Sequence, residues 1–374
     1  MLIIMLQKYF ETIQDSRQEG KVKHNMLEII IMTICAVVSG CEHWEDIEDF
    51  CKVKENWFRE KVGLRLENGI ASHDTFQRVF AIIQPKELEK RFSAWMKAVT
   101  QTTKGQCVSI DGKTIRGSRD ETDHVIHMVS AWASKNQMVL GQVRTDEKSN
   151  EITAIPELLE LLELSGCIVT IDAMGCQKDI AKNIIEAHAD YVLALKENHP
   201  TIYDEVKLYF ETALSEPRFY GDVSKVETLE KGHGRIEKRV YYLTDDVDWM
   251  EDKCLWAGLK AIGMVCSRVQ KADGIHEQTR YFLSSVVDIG LFSTAVRSHW
   301  GIENSLHWCL DVVFNEDKSK THVDNSGENF AVVRHIALNL LKAFPVKMSL
   351  ARKRRKCEYD ADFMSNVLFS HFAL

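Results

Sequence analysis

The chain has 374 residues, of which 45% are hydrophobic and 27% are charged, and only five are prolines. These proportions exclude an intrinsically disordered or collagen-like chain and favour a soluble globular protein of two or three units, each able to bury a core. The formal net charge of −8 argues mildly against nucleic acid as a partner, so the distribution of basic residues matters more than their sum.

The cysteine spacing and the hydropathy of the chain bear on the cellular compartment of the protein. Ten cysteines are scattered along the chain without a CxxC pair, which argues against a disulfide framework or a zinc module and predicts reduced cytoplasmic thiols. The most apolar run, residues 26–41, contains Glu28 and is shorter than the roughly 20 apolar residues that a membrane span needs. We therefore expect a buried helix there and no membrane partner.

The first hundred residues predict helices. Apolar residues recur at helical spacing in 25–38, 43–60 and 73–83, and Ser72 is placed to cap the third helix. Three short helices of this kind are typical of a helix-turn-helix-like DNA-binding unit, although a helical cap without a ligand explains the pattern equally well. We assign residues 1–100 to an N-terminal helical domain.

From about residue 105 the periodicity changes to that of strands. The strand-like runs QCVSID, HVIHMVSAWAS and QMVLGQVRTD are followed by helix, strand, helix and strand in EITAIPELLELLEL, CIVTID, CQKDIAKNIIEAHA and DYVLALK. Antiparallel strands followed by alternating helices and strands imply an α/β fold with a mixed sheet and helices on its faces. Residues 101–205 are assigned to the first part of this core.

Residues 206–290 follow a different pattern, with short strand-like runs that suggest a β-rich insertion. The chain then returns to helix at 291–314 and at 328–344, where apolar residues form one stripe. We expect residues 291–345 to complete the core and residues 346–374 to form a basic C-terminal tail.

Two predicted strands end alike, in V-S-I-D at Asp111 and V-T-I-D at Asp172. Because side chains alternate across a strand, each aspartate faces the same way as the hydroxyl two residues before it. If the strands are parallel neighbours, both carboxylates emerge at the end of the sheet where α/β folds bind ligands. Gly112 and Gly175 would let the backbone turn away. A single aspartate after a strand is usually a turn former. Because the same pattern occurs twice here, the turn-former interpretation is weaker for the pair than for either aspartate alone.

A third carboxylate lies in the apolar stretch HWGIENSLHWCLDVVF, residues 299–314. His299, Glu303 and His307 occupy successive i, i+4 positions, and Glu303 falls at the edge of the stripe that should pack on the sheet. It could therefore project over the two aspartates. The histidines are two turns, roughly 12 Å, apart, so a shared zinc ion is disfavoured against ordinary helix-face histidines or residues that orient Glu303.

Three converging carboxylates repel one another unless a cation neutralises them. Oxygen ligands suit Mg²⁺ or Mn²⁺, and two such ions are the standard device of phosphodiester chemistry.

Seven stretches occur in order along nearly the whole chain: GIASHDTFQRVF, SIDGKTIRGS, DAMGCQKDIAKNI, DYVLALKENHP, GHGRIEKR, RSHWGIENSLHWCLDVVFNED and ENFAVVRHIALNLLK. Together they resemble the H-repeat-associated insertion-sequence transposases, a branch of the DDE transposase superfamily. The resemblance implies a ribonuclease H-like core interrupted by the β-rich insertion. It also implies an enzyme that cuts DNA at transposon ends and joins the freed 3′-hydroxyl to target DNA.

Further expectations follow from the same resemblance. Asp111, Asp172 and Glu303 correspond to the catalytic, metal-binding carboxylates of the family. With these roles, the hypothesis is in-line attack on phosphorus without a covalent protein intermediate, in which Asp111 holds both ions while Asp172 and Glu303 hold one each. The partner would be double-stranded DNA, both transposon ends and target, bound by a homodimer. The protein would be cytoplasmic in a bacterial cell and associated with the nucleoid when bound to DNA.

The sequence departs from broader relatives around the glutamate. They carry a tyrosine seven residues and an arginine four residues before it, and a lysine seven residues after it. Here these positions hold Val296, His299 and Leu310. Arg297 and His299 are the candidates to replace the missing phosphate contacts.

Basic residues concentrate in 52–65, 231–239 and 352–356. Each segment alone is equally well explained as a solvated face, but together with the resemblance they predict contacts along the DNA backbone. The predicted DNA-binding residues are Lys113, Arg235, Arg297, His299, Asn304, Arg352, Arg354 and Arg355.

Two other functions compete with transposition. One is a domesticated or inactive DNA-binding protein derived from a transposase, which the presence of all three carboxylates disfavours. The other is a metal-dependent nuclease that cuts DNA without strand transfer. The terminal inverted repeats and the target preference are not encoded in any pattern of this chain.

Overall fold

The computed structural model describes residues 2–100, 105–118, 125–145, 151–216, 222–232, 234–271, 274–321 and 323–370. Its described strands are β1 Cys107–Ile115, β2 Ile126–Ala133, β3 Met138–Thr145, β4 Ile168–Ile171, β5 Asp190–Leu195, β6 Ser224–Gly232, β7 Arg235–Thr244, β8 Ala261–Lys271 and β9 Gly274–Ser284. All of them join one sheet in the order β3-β2-β1-β4-β5-β9-β8-β7-β6. Strands β1, β4 and β5 are parallel and the other pairs are antiparallel. The predicted α/β class with a mixed sheet is confirmed.

Helices cover the sheet and form the N-terminal part of the chain. The described helices are α1 Leu2–Phe10, α2 Met26–Val38, α3 Trp44–Val53, α4 Glu55–Trp57, α5 His73–Ile82, α6 Pro85–Val99, α7 Glu151–Leu161, α8 Lys178–Glu186, α9 Pro200–Ser215, α10 Ile289–Ile302, α11 Trp308–Val313, α12 Ser326–Ala343, α13 Leu350–Tyr359 and α14 Ala361–Leu368. Within the described residues, no helix combines the length and apolarity that crossing a membrane requires.

The three helices predicted near the N-terminus appear as α2, as α3 with α4, and as α5. Ser72 stands at the N-terminal cap of α5, as predicted, but its hydroxyl hydrogen-bonds the Thr75 hydroxyl at 3.2 Å and no backbone N–H. The free N–H groups of the first turn have other acceptors: the Thr75 N–H donates to the Ser72 carbonyl at 2.8 Å, and the His73 N–H donates to the Glu48 carboxylate at 2.6 Å. Glu48 of α3 therefore contributes to the cap.

The two faces of the sheet bury different sets of side chains. Val108 and Ile110 of β1 join the large core that includes the N-terminal helices. Cys107 of the same strand belongs to a second core, under α10, with Phe292 and Ala295. This is the alternation that the sequence predicts for the first aspartate strand. It places the odd-numbered residues of β1 on the α10 face.

Helix α12 was predicted to be apolar along one stripe, yet it is buried on all sides. It lies against β3 and the N-terminal helices α2, α5 and α6. One of its asparagines binds a sheet edge: Asn339 accepts from the Val139 N–H at 2.9 Å and donates to the Val139 carbonyl at 2.8 Å. Asn339 thus satisfies backbone groups at the edge of β3 that no neighbouring strand pairs.

The segment predicted as a β-rich insertion contains β6 to β9, and β9 pairs directly with β5 between Val192 and Ser284. These strands extend the central sheet. The segment predicted as a basic tail contains α13 and α14, with Lys353 and Arg354 buried. The domain boundaries themselves stay predictions.

Glu89 of α6 carries a buried carboxyl group, 3% exposed, and burial raises its pKa to about 8. Because the proton is held more tightly in the folded chain, the contribution of Glu89 to stability should be largest at low pH and fall as pH rises from about 4.5 to about 8, by up to ~1.4 kcal/mol per pH unit. Glu89→Gln should remove this contribution and make the pH dependence of stability less steep, as urea unfolding at several pH values would show. The exposed Glu160→Gln is the control, and an unchanged slope in Glu89→Gln would contradict the assignment.

Candidate active site

Asp111 and Asp172 lie at the same end of two adjacent parallel strands. The pairing of β1 with β4 ends at Ile110 and Ile171, so each aspartate is the next residue beyond the paired region. Their side chains point to the α10 face of the sheet, because Ser109 and Thr170, two residues earlier, contact α10 residues. The predicted adjacency of the two strands is confirmed.

The glycine after the first aspartate has a different role from the one predicted. Strand β1 does not turn away at Gly112: it continues to Ile115, with Gly112 opposite Val129 of β2. A Cβ at Gly112 would lie 2.4 Å from the Glu151 carboxylate, so glycine permits the close approach of α7. The prediction of a turn at this position is wrong, because the sheet partner on the other side prolongs the strand.

Asp172 begins a tight turn after β4. Its Oδ1 accepts hydrogen bonds from the backbone N–H groups of Met174 at 3.1 Å and Gly175 at 3.4 Å. The turn-former interpretation therefore holds for this residue, and its role as a metal ligand stays a prediction. Its Oδ2 makes no hydrogen bond to any described residue, and Asp172 lines a cavity at this end of the sheet.

Glu303 lies where the long helix changes its hydrogen bonding. Helix α10 passes into α11 through a π-helical turn, Glu303–His307, in which the Trp308 N–H donates to the Glu303 carbonyl, five residues back. Single π-helical turns inside α-helices are rare overall, but those that occur often lie at functional sites. The Glu303 side chain is 57% exposed, at the border between core and solvent where the sequence placed it.

The three predicted carboxylates line one cavity of ≈ 270 Å³. Ligand atoms of Asp111, Glu303 and His307 all lie within 4.8 Å of one another, and His307 Nδ1 is 3.6 Å from both Asp111 Oδ2 and Glu303 Oε2. Asp172 lies outside this tight group but faces the same cavity. The chain thus offers four possible metal ligands, one more than predicted.

The electrostatics of the cluster follow from its burial. Burial raises the pKa of Asp111 to about 7, opposed by His307 and reinforced by the charges of Glu303 and Asp172. The interaction with His307 lowers the pKa of Glu303, against the effect of burial. A carboxyl group whose pKa is raised by burial, as that of Asp111 is, releases its proton when a cation binds beside it.

His299 connects the helix to both aspartate strands. Its Nδ1 is 3.0 Å from Thr170 Oγ1, which donates to Ser109 Oγ at 3.1 Å. Ser109 in turn donates to the Ser298 carbonyl at 3.5 Å. Burial lowers the pKa of His299 to about 4, so the ring is neutral at pH 7 and carries no charge to attract phosphate. Its predicted DNA contact stays a prediction.

Three other predicted DNA contacts lie on the surface near the helix and strand β7. Arg297 makes a bidentate ion pair with Glu230 of β6, with both distances 2.8 Å. Asn304 donates to the Trp300 carbonyl at 3.0 Å. Arg235 lies 3.8 Å from Glu237. All three are accessible, and their role in DNA binding stays a prediction.

The remaining basic candidates divide by burial. Lys113 is 10% exposed and its ammonium lies 2.7 Å from Asp311 and 2.7 Å from Glu316. Arg354 is buried, donates to the Val37 carbonyl at 3.1 and 3.2 Å, and lies over the Phe314 ring at 4.3 Å. Both side chains are engaged inside the protein. Arg352 and Arg355 are exposed on α13, and none of these four is tested as a DNA contact.

Two basic residues beside Asp172, Lys196 and Arg280, were not among the site residues predicted from the sequence. Lys196 follows β5 directly, and Arg280 of β9 lies with its guanidinium 5.1 Å from the Trp300 ring. Both line the cavity of the carboxylates and a neighbouring cavity of ≈ 630 Å³. The sequence contained a signal for Lys196, because this residue ends a predicted strand, as the two aspartates do. It contained no signal for Arg280, because the pairing of β9 with β5 that brings Arg280 to the site is seen only in the fold.

Comparison with known protein families identifies the family to which this chain belongs. A family model described as DDE_Tnp_1-associated matches residues 7–96, and one described as Transposase DDE domain matches residues 102–340. The chain belongs to the DDE transposase family. The resemblance predicted from seven sequence stretches is confirmed.

Relatives of this DDE-family chain match it over nearly its whole length. "Putative transposase YncI" of Escherichia coli O157:H7 is 41% identical over 380 residues, covering 99% of this chain and 96% of the relative. "H repeat-associated putative transposase YhhI" of Escherichia coli strain K12 is 40% identical over 376 residues, covering 97% of each. A cryo-EM structure of the piggyBac transposase synaptic complex with hairpin DNA aligns with a TM-score of 0.40 and 12% identity, covering 98% of this chain and 82% of that one.

Proposed function

We propose that this chain is an active transposase that cleaves DNA at the ends of an insertion sequence and joins the freed 3′-hydroxyl to target DNA. The observation that carries the proposal is the meeting of Asp111, Asp172 and Glu303 around one cavity, from two strands and a helix far apart in the chain. Family membership supplies the reaction class. The alternatives are a nuclease without strand transfer and an inactive DNA-binding protein.

The donor set fits Mg²⁺ or Mn²⁺, two ions being expected. Carboxylate oxygens are the ligands these ions prefer, and the raised pKa of Asp111 marks a buried negative charge that the protein alone leaves poorly neutralised. Asp111 and Glu303 would hold one ion, and Asp111 and Asp172 the other. When bound, such ions activate the attacking water or 3′-hydroxyl and stabilise the leaving oxygen.

The rest of the site would bind the DNA backbone. Lys196 and Arg280 line the cavity beside Asp172 and are placed to neutralise phosphate oxygens next to the carboxylates. The turn that engages Asp172 Oδ1 orients this carboxylate from the protein side. The hydrogen bonds from His299 through Thr170 to Ser109 hold α10 in register with the two strands.

The finer architecture belongs to the same proposal. We regard β1 to β5 with α10 as a ribonuclease H-like core, β6 to β9 as the insertion, and residues 1–100 as an N-terminal DNA-binding domain. The two adjacent parallel aspartate strands, flanked by an antiparallel meander and covered by the glutamate helix, support this assignment. Joining two transposon ends would require a homodimer on DNA, in the cytoplasm and at the nucleoid.

The test is a strand-transfer assay with the purified full chain. The DNA flanking the gene supplies the terminal inverted repeats, from which a pre-cleaved transposon end is made and incubated with target plasmid and Mg²⁺ or Mn²⁺. We expect end joined to plasmid, and none after EDTA treatment. Nicked plasmid without joining would identify a nuclease, and bound but unchanged DNA an inactive DNA-binding protein.

A further inference from the structure

We propose that His307 is a direct metal ligand, so that the ion between Asp111 and Glu303 is held by one imidazole nitrogen and two carboxylate oxygens. The inference rests on the proposed function, since it concerns the metal that would serve the same reaction. It departs from an all-carboxylate site, which the sequence predicts from the acidic residues alone.

The distances separate ligation from hydrogen bonding. His307 Nδ1 is 3.6 Å from Asp111 Oδ2 and 3.6 Å from Glu303 Oε2, too far for a hydrogen bond to either. Two ligand atoms on one ion are at most about twice the metal-ligand distance apart, roughly 4.2 Å. A nitrogen equidistant from two carboxylate oxygens in this range is placed as a third vertex around a shared cation.

Burial gives independent support. The His307 side chain is 9% exposed, and its Nε2 has no hydrogen-bond partner among the described residues. A buried imidazole with neither nitrogen in a hydrogen bond is uncommon in folded proteins. The nitrogen that does face polar atoms, Nδ1, is aimed at the gap between the two carboxylates. Coordination would give that nitrogen the partner it lacks.

The π-helical turn explains why His307, and not His299, has this position. The turn spans Glu303–His307, so its first and last residues are the two helix-borne members of the cluster. Within it Glu303 is exposed while His307 is buried against β1. His299, four residues before Glu303, instead places Nδ1 3.0 Å from the Thr170 hydroxyl. The two histidines are therefore matched in spacing and different in environment.

A nitrogen ligand changes which ion the site prefers. Imidazole suits borderline transition metals, and Mn²⁺ accepts it more readily than Mg²⁺, which favours oxygen and water. We expect His307→Gln to weaken Mn²⁺ binding by roughly tenfold or more, and Mg²⁺ binding by a smaller factor. Isothermal titration of the full chain with each ion would measure both.

The decisive readout is spectroscopic. Electron spin echo envelope modulation of the Mn²⁺-loaded full chain should show ¹⁴N coupling from a coordinated imidazole. Growth with ¹⁵N-histidine should replace it by ¹⁵N coupling, a test that needs no mutation. The coupling should disappear in His307→Gln and persist in the control His188→Gln, at an exposed histidine. It should also persist in His299→Gln, which tests the other histidine of the cavity.

Several results would overturn the inference. They are a Mn²⁺-loaded chain without histidine nitrogen coupling, coupling that survives in His307→Gln, coupling lost in His299→Gln alone, or no Mn²⁺ binding. Strand transfer without nitrogen coupling would refute only the His307 ligand. Nitrogen coupling in a chain that never processes transposon ends would refute only the proposed function. If His307→Gln fails to fold, the ¹⁵N-labelled chain and His299→Gln still decide the question.

Discussion

Asp111→Asn is expected to reduce the rate of DNA cleavage and strand transfer by about 10³-fold or more while leaving DNA binding nearly unchanged. Asp111 is the carboxylate that both expected ions share, and the amide that replaces it carries no charge. Losing the charge stabilisation that a bound metal supplies is worth several kcal/mol in the transition state, and each ~1.4 kcal/mol is tenfold in rate. The loss should appear in single-turnover assays with a pre-cleaved end.

The variant should also fold normally, which separates catalysis from stability. Burial raises the pKa of Asp111 to about 7, so above neutral pH its charge opposes folding, and an amide removes that cost. The melting temperature at pH 8 should therefore be unchanged or higher. Asp172→Asn and Glu303→Gln should lose activity in the same way.

The matched control is Asp179→Asn, an exposed carboxylate in the first turn of α8, shortly after Asp172 in the chain. It should retain activity within about twofold, because surface substitutions away from a site change little. Cleavage by Asp111→Asn at more than one-tenth of the rate of the unmodified chain would refute the catalytic assignment.

The aspartate pair could be predicted from sequence because strand alternation is a local rule. Knowing only that V-S-I-D and V-T-I-D are strands fixes the face on which each carboxylate lies. Their meeting then needs one further condition, that the strands are parallel neighbours, and the order of helices and strands favours it. Glu303 followed from the helical period in the same way.

His307 could not be assigned from that period. On a regular helix both histidines share the ridge of Glu303 and neither is distinguished. Their environments come from residues distant in the chain: Thr170 on one side, and Asp111 on the other. The π-helical turn that separates them has no recognisable sequence signal here.

One edge strand of the sheet also could not be predicted from the sequence. Strand β6 was not predicted, because six of its nine residues are exposed, four are charged, and it buries no alternating apolar face. Its pairing with β7 over Ser224–Gly232 comes from backbone hydrogen bonds. A periodicity rule that detects burial cannot detect a strand with so little of it.

The surroundings of a basic residue also could not be predicted, because the sequence shows the cation but not the carboxylates that the fold places around it. Lys113 was selected as a DNA contact because it follows Asp111 by two residues. In the fold its ammonium lies among Asp311, Glu316 and Asp317, which come some two hundred residues later. Arg334 also lies 3.8 Å from Glu316, inside the protein.

Lys113→Met is therefore expected to lower the free energy of unfolding by about 3–5 kcal/mol, because removing one partner of a buried ion pair leaves the others uncompensated. Burial alone would raise the pKa of Glu316, but the charges of Lys113 and Arg334 hold it below its ordinary value. Without Lys113 that balance is lost. Urea unfolding followed by tryptophan fluorescence would measure the change.

Arg116→Met is the matched control, because Arg116 reaches the same Asp317 at 3.8 Å from a position that is 83% exposed. It should cost under about 1 kcal/mol, as exposed ion pairs do. Equal losses in Lys113→Met and Arg116→Met would show that the buried cluster has no special weight.

The same cluster connects the strand and the helix that carry the proposed metal ligands. Lys113 lies on the strand of Asp111, while Asp311 and Glu316 follow the π-helical turn that carries Glu303 and His307. If this link positions the carboxylates, Lys113→Met should weaken Mn²⁺ binding even without denaturant, whereas Arg116→Met should not.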